Sequence, residues 1–173
     1  LVSILKRNGL DRPDAPAIIQ SFEVTNLIEL HKQVRTPLLQ LTSATGAPAD
    51  FVANGDKRTY KDLVTPQGLR DIAKYAKYLG PEKGQIIPLD AAGNLTQPTA
   101  LVADAHKAGL KVQPYTFRNE NPFLPANLRS SAEPDAYGDV FTEEAAFFKA
   151  GVDGFFADQP DTALESLHAF LGR

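Results

Sequence analysis

The chain has 173 residues, 43% hydrophobic and 23% charged, a length and balance typical of one ordinary globular domain. Its 18 basic and 21 acidic residues give a net charge of -3, which argues against a nucleic-acid-binding protein, since such proteins usually carry a basic surplus. The absence of cysteine excludes disulfides, thiolate zinc sites and cysteine nucleophiles. No apolar run approaches the ~20 residues of a transmembrane helix, and a chain that begins at Leu1 is interpreted as a processed chain or a fragment.

Short elements of alternating type are predicted over the first 64 residues. The apolar run Ala17-Ile18-Ile19 predicts a strand buried on both faces, because it lacks the alternation of a half-exposed strand. Apolar residues at helical spacing predict the helices. In chain order, the prediction is a helix over 1–9, a strand over 17–22, a helix over 23–34, a strand over 37–41 and a long loop over 42–64.

The next segment contains the clearest helix signal of the sequence. Thr65 is the predicted N-cap, Pro66 suits the first turn, and a stripe of apolar residues continues to Leu79 before Gly80 ends the helix. The remaining prediction is an extended piece over 85–88, a helix over 98–108, a third strand over 111–117, a long loop over 118–138, a helix over 139–150, a fourth strand over 154–158 and a last helix capped by Asp158 or Asp161. The inner face of that last helix is predicted to hold Ala163, Leu164, Leu167 and Leu171.

Strands that alternate with helices predict βαβ units and a parallel sheet with right-handed crossovers. Both long loops follow the carboxyl ends of predicted strands. Functional sites of parallel α/β folds are built on that side of the sheet, so the strand ends are the places to search for chemistry.

The chemistry found at these strand ends is mostly neutral. The three histidines, His31, His106 and His168, fall in helical stretches and are interpreted as solvated, and no phosphate-loop, dinucleotide or zinc-protease motif occurs. Arg118 follows the third strand and could bind a phosphate, with an ordinary loop arginine as the equal alternative. The acidic pair Glu143-Glu144 suits the first turn of a helix and receives no catalytic role.

Four segments in order resemble the glycerophosphodiester phosphodiesterase family, and in particular its longer, periplasmic-type bacterial members. The first two resemble the central part of the family, and the last two resemble its seventh and eighth strands. The resemblance covers nearly the whole chain, and its segments are Ile19–Glu23, Pro37–Leu41, Gln113–Arg118 and Ala150–Asp161.

This resemblance implies a TIM barrel of eight β/α units, of which residues 1–173 would supply the C-terminal half, about four units. A complete barrel takes about 250 residues. The family's His-Arg-Gly, Pro-Glu-Asn-Thr, Glu-x-Asp and Glu-x-Lys motifs and its second catalytic histidine do not occur in this sequence. No catalytic residue and no metal ligand can therefore be assigned to this chain. The divalent metal that the resemblance implies, Ca or Mg, would have its ligands outside it.

The resemblance further implies an enzyme that hydrolyses glycerophosphodiesters to glycerol 3-phosphate and an alcohol. By motif position, the residues expected to contact substrate and shape the pocket are Ser21, Phe22, Gln40, Tyr115 and Arg118. The expected partner is the N-terminal half of the barrel or a second copy of the chain, and the expected location is periplasmic or secreted, with a cytoplasmic one left open. Two other interpretations remain at this point: a self-standing α/β module that binds a small anionic ligand or a partner chain, and a fragment of an unrelated α/β enzyme.

Overall fold

The computed structural model describes residues Leu1 to Arg173 and divides into two compact units. The first unit contains residues 1–81 and 103–112, and the second contains residues 82–102 and 113–173. None of the helices combines the length and the apolar character that crossing a membrane requires.

The first unit is built on a four-stranded parallel sheet whose strands lie in the order in which they occur in the sequence. All three strand pairs are parallel, with Ser21 opposite Gln40 and Leu79 opposite Val112. An α/β class with a parallel sheet is therefore confirmed. The strands are β1 (Ile19–Ser21), β2 (Leu38–Thr42), β3 (Tyr78–Pro81) and β4 (Lys111–Val112).

Helices of the first unit connect these strands. The predicted cap of α5 is present, because the Thr65 hydroxyl accepts a hydrogen bond from the Gly68 amide at 3.1 Å and Pro66 occupies the first helical position. The helices are α1 (Val2–Arg7), α2 (Val24–His31), α3 (Ala49–Ala53), α4 (Tyr60–Leu63), α5 (Pro66–Ile72) and α7 (Leu101–Lys107), the last of which begins in the second unit.

Two predictions for the strands of this unit were wrong. The first strand is not buried on both faces, because none of the residues of β1 is buried and Ile18, just before it, is 38% exposed. The strand pairs only with β2 and forms an edge of the sheet. The helix predicted to reach Leu79 ends at Ile72, and Tyr78–Pro81 is a strand between β2 and β4. Leu79 continues the helical spacing by chance, and pairing on both sides decides the conformation.

The predicted loop over 42–64 contains α3 and α4, two short helices that periodicity cannot reveal because each is a single turn or slightly more. The extended piece predicted over 85–88 is correct at Ile87, which is extended, but wrong over its first two residues. Residues Lys83–Ile86 form α6, stabilised by a capping box between Glu82 and Gln85.

The second unit contains α6, the start of α7, α8 (Val140–Lys149) and α9 (Pro160–Leu171). Two single-turn 3-10 helices, Asn121–Phe123 and Ala126–Leu128, lie within the loop predicted over 118–138. The predicted fourth strand is an extended segment rather than a regular strand. It bridges in parallel to the end of the third through the Phe117 amide, which donates to the Phe156 carbonyl at 2.8 Å.

The predicted face of α9 is not an inner face in this chain. Leu164 is 53% exposed and Leu171 is 50% exposed. The buried core of this unit lies elsewhere, where the Phe117 and Phe147 rings pack edge to face with their centres 4.9 Å apart. The predicted caps of α9 were also wrong, because Gln159 is the N-cap and Asp158 binds Arg118 instead.

Candidate functional site

Arg118 lies at the carboxyl end of the extended segment that follows β4, in the second unit. Its Nε donates to the Asp158 carboxylate, which follows the neighbouring extended segment. Its guanidinium carbon lies 4.4 Å from the centre of the Phe123 ring, a cation–π geometry. Because arginine has five N–H donors and this ion pair uses its Nε, the remaining donors can bind an anion. The two strand-end residues Arg118 and Asp158 thus form a partly exposed polar cluster.

Lys83 is a second cation of this unit, and the sequence carried no signal for it. Its Nζ donates to Glu143 Oε1 and to the Phe123 carbonyl, each at 2.7 Å, and lies 5.4 Å from the Phe117 ring centre. Lys83 follows β3 at the start of α6, so it also belongs to a strand end. Glu143 lies in the first turn of α8, where the helix dipole alone explained it in the sequence.

Burial dominates the electrostatics of the two glutamates of α8. Burial raises the pKa of Glu143, and the charge and hydrogen bond of Lys83 lower it by less, so its pKa stays above the usual range. Burial also raises the pKa of Glu144, which the hydrogen bond to Ser166 lowers and the negative charge of Glu143 raises. One oxygen of each carboxyl group is buried without a hydrogen-bond partner. Glu143 therefore connects α8 to Lys83, and Glu144 connects α8 to Ser166 of α9.

Tyr115 lies three residues before Arg118 on the same extended segment, in the second unit. Its carbonyl accepts a hydrogen bond from the Lys83 amide at 3.0 Å, and it bridges in parallel to Glu82. The side chain is half-buried.

The three predicted site residues of the first unit also lie together, at the carboxyl ends of β1 and β2. The Ser21 hydroxyl accepts from the Glu23 amide and from Asn26 Nδ2, each at 3.0 Å. Phe22 is partly exposed, with its ring 6.0 Å from the Tyr60 ring in an edge arrangement. Phe22 is therefore the most open of the three toward a ligand.

Gln40 is fully buried and its amide is satisfied inside the protein. Its Nε2 lies within hydrogen-bond distance of the carbonyls of Ser21, Phe22 and Leu41, and its Oε1 accepts from the Tyr75 hydroxyl at 2.8 Å. These contacts hold the end of β1 against β2. The contacts favour a role in shaping the pocket wall over a direct contact, and the assignment of Gln40 to substrate contact stays a prediction.

A groove of about 720 Å³ in the first unit lies between α2, α3 and α5, and none of the predicted site residues lines it. No group of three or more His, Asp or Glu side chains lies close enough together to hold a metal ion. The residues of this chain therefore do not fit a metal site by themselves. The three histidines lie on helices and are exposed, as predicted.

Comparison with known proteins decides the family. Residues 3–162 match the glycerophosphoryl diester phosphodiesterase family. The chain belongs to the glycerophosphodiester phosphodiesterase family. Among its relatives, a glycerophosphodiester phosphodiesterase of Arabidopsis thaliana is 34% identical over 143 residues, which are 83% of this chain and 35% of the relative. A glycerophosphodiester phosphodiesterase of Haemophilus influenzae is 25% identical over 183 residues, 96% of this chain and 46% of the relative.

Two crystal structures of proteins named for the same family share the fold. The one from Silicibacter pomeroyi has a TM-score of 0.61 at 19% identity, covering 99% of this chain and 43% of that chain. The one from Agrobacterium tumefaciens has a TM-score of 0.57 at 18% identity, covering 99% and 51%. The predicted fold class, α/β of the glycerophosphodiester phosphodiesterase TIM-barrel family, is confirmed. The chain spans about a third to a half of the length of these relatives.

Proposed function

We propose that residues 1–173 form the C-terminal part of the barrel of a glycerophosphodiester phosphodiesterase. In the complete protein, the enzyme hydrolyses a glycerophosphodiester to glycerol 3-phosphate and an alcohol. The family match over residues 3–162 supports the activity, and the ion-paired Arg118 at a strand end supports anion binding. The match is the observation that carries the proposal.

In this proposal, the chain supplies one wall of the pocket and the catalytic groups come from the rest of the barrel. Arg118 binds the anionic substrate through the guanidinium N–H groups that Asp158 does not use. In the second unit, Tyr115 contacts substrate on the same segment as Arg118. In the first unit, Ser21 and Phe22 contact substrate, and Gln40 fixes the strand ends that carry them. A divalent metal, Ca or Mg, would be held by residues outside this chain and would supply polarisation of the phosphodiester.

The exposed apolar surfaces support a protein partner that completes the fold. Ile18 lies beside the edge strand β1 in the first unit, and Leu164 and Leu171 on α9 are open in the second. We propose the N-terminal half of the barrel as the partner, with self-association in its absence. A periplasmic or secreted location is also proposed, from the resemblance to the longer bacterial members.

The test of the proposed function is Arg118→Ala in the complete enzyme. Loss of a charge-assisted contact costs about 1.5–3 kcal/mol, so kcat/KM for glycerophosphocholine should fall by roughly 10- to 100-fold. Release of glycerol 3-phosphate is followed in steady-state assays. The matched control is Arg70→Ala, because Arg70 is an exposed arginine of α5 that bonds only to Gln67 on the same helix.

An Arg118→Ala enzyme with unchanged kcat/KM would remove Arg118 from the substrate site. No hydrolysis of any glycerophosphodiester by the complete protein, together with phosphate binding by this chain alone, would instead favour the self-standing anion-binding module.

A further inference from the structure

Phe123 is contacted by two cationic side chains of the second unit, Lys83 and Arg118. Its carbonyl accepts from Lys83 Nζ at 2.7 Å, forty residues away in the sequence, and the Arg118 guanidinium stacks over its ring at 4.4 Å. Phe123 ends a single-turn 3-10 helix and is 44% exposed, so packing alone does not fix it. The hydrogen bond from Lys83 therefore restrains the residue that supports Arg118, beside the bond from the Phe123 amide to the Glu120 carbonyl at 3.1 Å.

Lys83 is itself held in place by an ion pair with Glu143. The side chain of Glu143 is 1% exposed and that of Lys83 is 23% exposed, so the ion pair is largely removed from solvent. Of the three ammonium N–H groups, one is directed to Glu143 and one to Phe123. Glu143 belongs to α8, a ten-residue helix whose start is capped by the Asp139 side chain. The pair thus connects a firmly formed helix to the loop that carries Phe123.

A buried ion pair is weak evidence for stability, because desolvation of both charges offsets their attraction. A cavity of about 130 Å³ lies beside the Lys83–Glu143 ion pair and is lined in part by Lys83, Glu143 and Phe123. The cavity leaves room for Phe123 to shift if the hydrogen bond to its carbonyl is lost. The Lys83–Glu143 pair is therefore explained better by the orientation of Phe123 than by added stability of the fold.

We propose that Lys83 and Glu143 form a positioning pair that holds Phe123, and through Phe123 the Arg118 guanidinium, in the orientation that binds the anionic substrate. The inference rests on the proposed function of Arg118. Lys83 and Glu143 act through Phe123 and do not contact the substrate, so both are positioning residues.

The experiment compares two variants of the complete enzyme, Lys83→Met and the double variant Lys83→Met/Glu143→Leu. Lys83→Met leaves a buried carboxyl group unpaired and should lower thermal stability, whereas the double variant replaces both charges by apolar groups and should recover it. Neither variant can bond the Phe123 carbonyl. The kcat/KM of both variants should therefore fall by about 10-fold, which is part of the contribution of Arg118. The double variant should regain stability but not kcat/KM.

A second measurement reads the orientation of Arg118 without activity. The Nε–H resonance of Arg118 in 15N NMR should shift or broaden in both variants. It should stay unchanged in the control Lys107→Met, since Lys107 pairs on the surface with Asp104.

Recovery of kcat/KM together with stability in the double variant would overturn the positioning role, and so would an unchanged Arg118 resonance. An Arg118→Ala enzyme with wild-type kcat/KM would overturn the proposed function and with it the effect of the pair on substrate. The NMR result would still decide whether the pair orients Arg118.

Discussion

Glu143 and Glu144 are carboxyl groups buried on α8, and burial raises the pKa of each above its ordinary value of 4.5. A raised pKa means that the folded protein binds the proton more tightly than the unfolded chain. The resulting stability is fully present below the pKa of the unfolded carboxyl and is lost as the pH rises through the folded-state pKa. The free energy of unfolding should therefore decline as the pH increases from about 4.5 toward neutrality.

We predict that Glu143→Gln makes this decline smaller. The amide carries no proton to lose in this range, and removal of the Glu143 charge also removes one cause of the raised pKa of Glu144. Urea unfolding at a series of pH values between 4 and 8 measures the effect. The control is Glu165→Gln, because Glu165 is an exposed glutamate of α9. An identical decline in Glu143→Gln and in the unaltered protein would contradict the role assigned to burial.

A side chain of α3 stabilises the start of α2. The Asp50 carboxylate accepts from the Thr25 amide at 2.7 Å and from the Thr25 hydroxyl at 2.6 Å, which satisfies an amide of the first turn of α2. Burial raises the pKa of Asp50, but the hydrogen bonds from Thr25, together with those from the Phe51 and Asp50 amides, more than offset it, so the pKa lies below its ordinary value of 3.8. Asp50 thus acts as a cap supplied from 25 residues away.

We predict that Asp50→Ala lowers the free energy of unfolding by about 1 kcal/mol at neutral pH, the usual value of a helix cap. Because a lowered pKa stabilises the fold only while the carboxyl is ionised, the difference between variant and unaltered protein should shrink as the pH falls below 3.8. Thermal unfolding at pH 7 and pH 3 measures it, with the exposed Asp135→Ala as the control. A loss of the same size at both pH values would mean that the carboxylate is not the cap.

The elements that the sequence predicted well are those with local signals. Thr65 and Pro66 predicted the start of α5 because capping is decided within four residues. Tyr78–Pro81 was mistaken for helix because its apolar residues fit both periods, and only pairing with β2 and β4 selects the strand.

The candidate site shows the same division. Arg118 could be named because it follows the segment predicted as the third strand, residues 111–117. Lys83 could not, since its contacts with Glu143 and Phe123 join residues 60 and 40 positions apart. Asp50 is a similar case, because its partner Thr25 precedes it by 25 residues.

At the scale of the whole molecule, apolar surface is left open in both units. Large apolar side chains kept in water forgo roughly 1.5–3 kcal/mol each, against a total stability of only ~5–15 kcal/mol. In the second unit, a groove of about 490 Å³ beside α9 is lined by Phe148, Phe155, Leu164 and Leu167, among others. We therefore expect a partner to cover this apolar surface in the stable protein.

We predict that this chain, expressed alone, self-associates or aggregates, and becomes monodisperse when the N-terminal half of the barrel is co-expressed. Light scattering across a concentration series measures the association. Leu164→Glu/Leu167→Glu should reduce it, whereas Val52→Glu, at an exposed position of α3, should not. A well-dispersed monomer at high concentration would show that these surfaces need no partner, and the independent module would then be the better interpretation.

We propose that this chain carries a wall of a phosphodiesterase pocket but not its catalytic groups. The most direct measurement is release of glycerol 3-phosphate from glycerophosphocholine, with Ca or Mg present, by the purified chain alone and by the chain co-expressed with the N-terminal half. We predict no release by the chain alone. We predict release by the co-expressed halves, with a kcat/KM that falls by roughly 10- to 100-fold in Arg118→Ala. Release by the chain alone, lost on substitution of its own residues, would contradict it.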